Sequence, residues 1–83
     1  MYTVYILYAQ SIDKFYVGFT GDRPEIRLEK HLASHKGFTS RAKDWQIVYI
    51  EKFDVKDQAI QREKQIKNWK SKKKIIELIR SSE

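Results

Sequence analysis

Two β-branched and aromatic runs near the start of the chain, Tyr2-Thr3-Val4-Tyr5-Ile6-Leu7-Tyr8 and Phe15-Tyr16-Val17-Gly18-Phe19-Thr20, constrain the fold more than any other feature. Their residue types favour extended backbone. The polar connection between them, with Gln10, Ser11 and Asp13, suits a turn. It is too short for a crossover, so the pair is an antiparallel hairpin. Period two puts Tyr2, Val4, Ile6 and Tyr8 on one face and Thr3, Tyr5 and Leu7 on the other. Tyr5 and Tyr16 can then share a side of the sheet. Gly18 inside the second run marks a bulge or a close approach to the backbone.

The rest of the chain supplies a third strand and three helices. Asp22 and Pro24 open a helix that runs to about Ala33 or Ser34, with Ile26, Leu28, Leu32 and Ala33 as its apolar residues. Arg27 and His31, four apart, share a face of it. A polar loop over 35–44 carries Lys36, Arg41 and Lys43. Trp45 to Phe53 reads as a strand pairing antiparallel with one strand of the hairpin. Asp54 is expected to cap a helix containing Gln58 to Trp69, and Ser71 a last helix from Lys72 to Arg80. The expected architecture is α+β, a three-stranded antiparallel sheet flanked by helices in the order β-β-α-β-α-α. Its 83 residues make a single domain, 1–83.

Glu63 is the residue of the second of those helices that most invites a functional reading. Ala59, Ile60 and Ile66 mark an apolar stripe, and Glu63 falls inside it. A carboxylate aimed at the body of a small domain is costly unless a cation or metal meets it. The plainer reading is an edge position where Glu63 pairs with Lys67 at i+4.

Charge points to the partner. Seventeen Lys and Arg against eleven acids give a net charge of +6. That excess favours a polyanion, most often nucleic acid. Lys64, Lys67, Lys70, Lys72, Lys73 and Lys74 cluster in the last third of the chain. The absence of cysteine excludes a disulfide framework and a thiolate zinc site. No apolar run approaches membrane-spanning length and no signal peptide is visible, so a cytoplasmic protein with no membrane association is expected.

Thr3-Val4-Tyr5, Tyr16-Val17-Gly18, Arg27, His31 and Glu63, in this order and spacing, resemble the GIY-YIG nuclease superfamily over essentially the whole chain. The loop Lys36-Gly37-Phe38-Thr39-Ser40-Arg41 and the segment Arg62 to Lys67 look like its small stand-alone bacterial branch, similar to the nuclease domain of the excision-repair subunit UvrC. Thr3 and Val4 stand where the superfamily motif has glycine and isoleucine. The resemblance implies a hydrolase, a divalent-metal-dependent endonuclease acting on DNA, in repair or recombination. RNA is a further candidate substrate, and specificity should come from DNA shape or from a protein partner. One Mg²⁺ or Mn²⁺ would be held by Glu63, since Mg²⁺ keeps several waters and needs only one or two carboxylates. Arg27 would offset charge on the phosphoryl oxygens. Tyr5, with Tyr16 nearby, and His31 are rival general bases. A tyrosine would need its pKa lowered by about three units, whereas histidine needs no such shift. Lys36, Arg41, Lys64, Lys67, Lys70, Lys72 and Lys73 are the expected nucleic-acid contacts. The competing expectation is a nucleic-acid-binding module of the same fold with little or no cleavage. Taken singly, each site residue has a plainer role: a packing tyrosine, a surface histidine or a solvated arginine.

Overall fold

The computed structural model describes residues 1–33 and 37–82. The elements are β1 (Tyr2–Ala9), β2 (Lys14–Thr20), α1 (Pro24–Ala33), a 3-10 turn (Phe38–Arg41), β3 (Gln46–Phe53), α2 (Lys56–Trp69) and α3 (Lys72–Ser81). The three strands form one antiparallel sheet in the order β2-β1-β3, with the most apolar strand at its centre. This is the expected α+β arrangement.

Alternation along β1 divides the interior into two cores. Val4 and Ile6, both fully buried, pack with Val17 of β2 and with Ala59 and Ile66 of α2, and Ile75, Leu78 and Ile79 of α3 cover the periphery. Tyr5, Leu7 and Ala9 point the other way, onto Leu28 and Leu32 of α1 and onto Ala42 and Trp45 beyond the 3-10 turn. The register of β1 against β3 slips by one residue between Ile6 and Leu7. That bulge lets the consecutive residues Val48 and Tyr49 both pack against the α2–α3 side.

Local signals account for most element boundaries, with two corrections. Ser71 caps α3 as expected, its Oγ accepting from the Lys74 N–H at 3.3 Å. Asp54 does not cap α2. The chain bends through Asp54 and Val55, the cap position falls on Val55, and no side chain closes the helix start. Trp45 is not the first residue of β3 but sits just before it, buried, its indole N–H donating to the Thr39 carbonyl at 2.9 Å. Among the described residues, no helix is long and apolar enough to cross a membrane.

Candidate active site

The site grows from the face of β1 and β2 that lies against α1. Tyr5 stands directly opposite Gly18 in the ladder, and Tyr16 two residues before Gly18. A Cβ at Gly18 would lie 2.6 Å from the Tyr5 hydroxyl oxygen and 3.2 Å from the Tyr16 ring. Glycine is therefore the residue that lets the Tyr5 ring lie flat across the hairpin. Tyr16 keeps the same face, so the two tyrosines converge as the strand period requires.

His31 meets them from α1. It is 8% exposed, so the surface-histidine reading fails. Its Nε2 lies 3.0 Å from the Tyr5 hydroxyl and its Nδ1 lies 3.2 Å from Thr39 Oγ1. The Tyr16 ring packs edge-on against the imidazole, with centroids 4.8 Å apart. The simplest proton assignment has Tyr5 donating to Nε2 while Nδ1–H donates to Thr39. Thr39 is itself fixed by the Trp45 indole on its carbonyl. A chain of buried groups thus runs Trp45, Thr39, His31, Tyr5.

Burial sets the titration of the two central groups. It raises the Tyr5 pKa above the ordinary tyrosine value. The neighbouring Arg27 guanidinium works against that shift but is outweighed, while Tyr16 and Glu63 add to it. Without a metal, the lowering that a tyrosine base would need is therefore absent, because desolvation of the phenolate exceeds the help of the nearby cation. Burial also lowers the His31 pKa, and the Arg27 charge lowers it further. His31 is accordingly neutral at neutral pH and free to accept from Tyr5.

Arg27 is half-buried on α1, one turn before His31, and its Nε is buried with no hydrogen-bond partner. Arg62 Nε on α2 shares that state, so the feature alone assigns no role. Glu63 approaches from α2, close enough for its charge to act on the Tyr5 hydroxyl. Its side chain is 16% exposed and lies 3.7 Å from Lys67 Nζ, the i+4 pair of the plainer reading. Both features hold at once, since a carboxylate at the inner edge of α2 reaches the tyrosine side and its own helix neighbour. Lys67 Nζ in turn lies 5.9 Å from the centre of the Tyr16 ring. Tyr16, Arg27, Lys30, His31, Phe38 and Thr39 border a shallow depression of about 350 Å³.

The structure therefore gathers Tyr5, Tyr16, Arg27 and His31 on one side of the sheet, while Glu63 stands on α2, paired with Lys67 and near enough for its charge to act on Tyr5. Of the expected nucleic-acid contacts, Lys64, Lys70 and Lys73 are exposed. Arg41 is also exposed, its guanidinium 5.4 Å from the centre of the Phe38 ring. Lys72 is exposed but ion-paired with Asp13. Lys36 lies outside the described residues. Arg62 of α2 packs inward, 3.1 Å from Glu51 of β3 and over the Trp69 ring. Thr39 and Trp45 were not among the residues the sequence singled out. Their roles arise from the 3-10 turn folding back under α1, which has no local signature beyond the polar loop itself.

Among the described residues, no group of three or more His, Asp and Glu is placed to hold a metal ion. Glu63 is the one carboxylate at this site. A single carboxylate fits a hard cation that retains most of its waters and takes further oxygens from a phosphate, as Mg²⁺ does. It does not fit a tightly caged metal.

The family model described as the GIY-YIG catalytic domain matches residues 1–75. No curated protein and no solved structure gave a match to the chain.

Proposed function

The chain belongs to the GIY-YIG catalytic domain family, a family of endonucleases, and from that premise we propose that it is a divalent-metal-dependent endonuclease that hydrolyses phosphodiester bonds in DNA. The observation that carries the reading is the buried Tyr5–His31 pair at 3.0 Å, with Arg27 and Glu63 beside it. A buried hydroxyl seeks some partner in any case; what favours chemistry is that this partner is a histidine kept neutral beside Arg27, on residues that the family match spans.

Each side chain takes a role that its position allows. Tyr5 accepts a proton from the attacking water while passing its own to His31 Nε2. A preformed phenolate is unnecessary, which suits a tyrosine whose pKa is raised by burial. This assigns the general base to Tyr5 and the proton's destination to His31, whose depressed pKa keeps it unprotonated between turnovers. Thr39 and Trp45 hold the imidazole in the tautomer that leaves Nε2 open to Tyr5. Arg27 presents its guanidinium to the phosphoryl oxygens as their charge grows. Tyr16 packs on the imidazole and borders the depression where the phosphate sits. Glu63 would hold one Mg²⁺ or Mn²⁺. That ion, when bound, polarises the phosphate and steadies the leaving oxygen. Lys64, Lys67, Lys70, Lys73 and Arg41 supply contacts to flanking phosphates. With few groups for reading bases, the chain would take its specificity from DNA shape or from a protein partner, in a cytoplasmic repair or recombination role.

One observation favours the alternative of a binding module with little cleavage. Glu63 already has Lys67 within 3.7 Å, and a cation there competes with a metal for the carboxylate. The two readings separate in a cleavage assay on linear, nicked, flapped and branched DNAs with Mg²⁺, Mn²⁺ or EDTA. Cutting that requires the metal is expected. Binding without cutting in either metal would establish the module instead.

A further inference from the structure

Beside the depression around His31 lies an open groove of about 580 Å³. It runs between the β1–β2 turn, the 3-10 turn and the α2–α3 junction. Its size falls within the roughly 300–1,000 Å³ usual for ligand sites. Tyr16, Phe38 and Ile75 line it, and Lys67, Lys70 and Lys72 stand on its rim. Tyr16 and Phe38 also border the His31 depression, so the two are adjacent.

One feature of the groove favours an unpaired strand over a duplex, and two more fit a phosphate backbone of either kind. Its aromatic residues are arranged for stacking: Tyr16 and Phe38 lie with planes 22° apart and centroids 6.3 Å apart, and Phe38 remains 37% exposed. Arg41 closes over Phe38, extending the same platform. The rim is cationic, with Asp13 the one carboxylate in the lining, and that acid is already engaged by Lys72 and by the Tyr8 hydroxyl at 2.6 Å. Lys70 occupies the left-handed region, φ 48° and ψ 34°, at the end of α2, where glycine is the usual residue. That conformation directs the chain from α2 into α3 and leaves the Lys70 ammonium exposed at the groove's lip.

We propose that this groove takes the unpaired nucleobases of a DNA strand adjoining the scissile phosphate, so that the substrate is DNA with a single-stranded arm rather than continuous duplex. The proposal rests on the nuclease reading above for the position of the cut. A groove of stacking rings edged with lysines is how single strands are held without regard to sequence. Bases locked in a duplex cannot enter it.

The test compares three labelled duplexes by fluorescence anisotropy in EDTA: one with a thymidine arm of about eight nucleotides, one with the same arm made of abasic residues, and one blunt. The abasic arm keeps the phosphates and removes the rings. The thymidine arm should bind roughly 5- to 100-fold more tightly than the abasic arm, the range that stacking of a single base gives. Phe38→Ala should bring the thymidine arm close to the abasic one and leave abasic binding unchanged, with an unaltered circular dichroism spectrum. Equal binding of thymidine and abasic arms by the wild-type protein would overturn the proposal, and that comparison needs no variant. Cutting of the same three duplexes in Mg²⁺ separates the two readings. Metal-dependent cutting with no base preference removes the groove and leaves the nuclease, whereas base preference without cutting does the reverse.

Discussion

Gly18 and Tyr5 show how tightly single residues set this site. The glycine has ordinary strand geometry, and its constraint is the aromatic ring that lies on it. Gly18→Ala should push the Tyr5 hydroxyl away from His31, because the added carbon would sit 2.6 Å from that oxygen. Overpacking of this kind costs about 1–3 kcal/mol of stability. Misplacing a reacting group by about 1 Å costs roughly 10²-fold in rate. Urea unfolding alongside cleavage kinetics checks both, and a variant that cuts at the wild-type rate would show that the Tyr5 position does not matter. Residues of this kind were partly legible. Strand period alone puts Tyr5 and Tyr16 on one face, and the helix stripe alone turns Glu63 inward. Thr39 and Trp45 were not legible, because each acts through a partner that tertiary folding supplies. The burial that raises the Tyr5 pKa was not legible for the same reason: neighbouring charges can be guessed from sequence, but the depth of burial that outweighs them cannot.

At the scale of elements, the sheet and all three helices could be read from residue type and period, and errors arose at the ends. Asp54 is a good capping residue placed one position too early, since the turn out of β3 takes both Asp54 and Val55 before α2 begins. Ser71 has no such competing turn and caps α3. Between these helices, Lys70 carries a backbone cost of about 1 kcal/mol for its left-handed conformation. Glycine there relieves that cost but adds freedom to the unfolded chain. Lys70→Gly should therefore leave the melting temperature unchanged or slightly raised. Its binding to DNA should fall, and the log–log salt slope should become shallower by about 1. Melting and salt-titrated binding together test this. A loss of stability with full retention of binding would mean that Lys70 serves the turn and not the nucleic acid.

Viewed as a whole molecule, one sheet separates two tasks. Its α2–α3 side carries the larger aliphatic core, while its α1 side holds the polar chain from Trp45 to Tyr5. Glu63 joins the two from α2, and the lysines of the α2–α3 junction surround the approach. The order β2-β1-β3, which puts the tyrosine-bearing hairpin at one side of the sheet, follows from β3 pairing with β1, one of two choices the sequence allowed. The groove depends on three segments far apart in sequence and left no trace in any one of them. The account as a whole turns on Glu63. The most direct measurement is metal-dependent cleavage of flapped DNA by wild type and Glu63→Gln, with melting curves taken in parallel. Glutamine is nearly isosteric and a good helix former. Loss of the Lys67 pair costs only a few tenths of a kcal/mol. The fold should therefore persist, and DNA binding should be equal or tighter once a negative charge beside the phosphate is gone. Cleavage in Mg²⁺ and Mn²⁺ should disappear, because a neutral oxygen is a poor sole protein ligand for either ion. A Glu63→Gln protein that cuts at close to the wild-type rate would contradict the account.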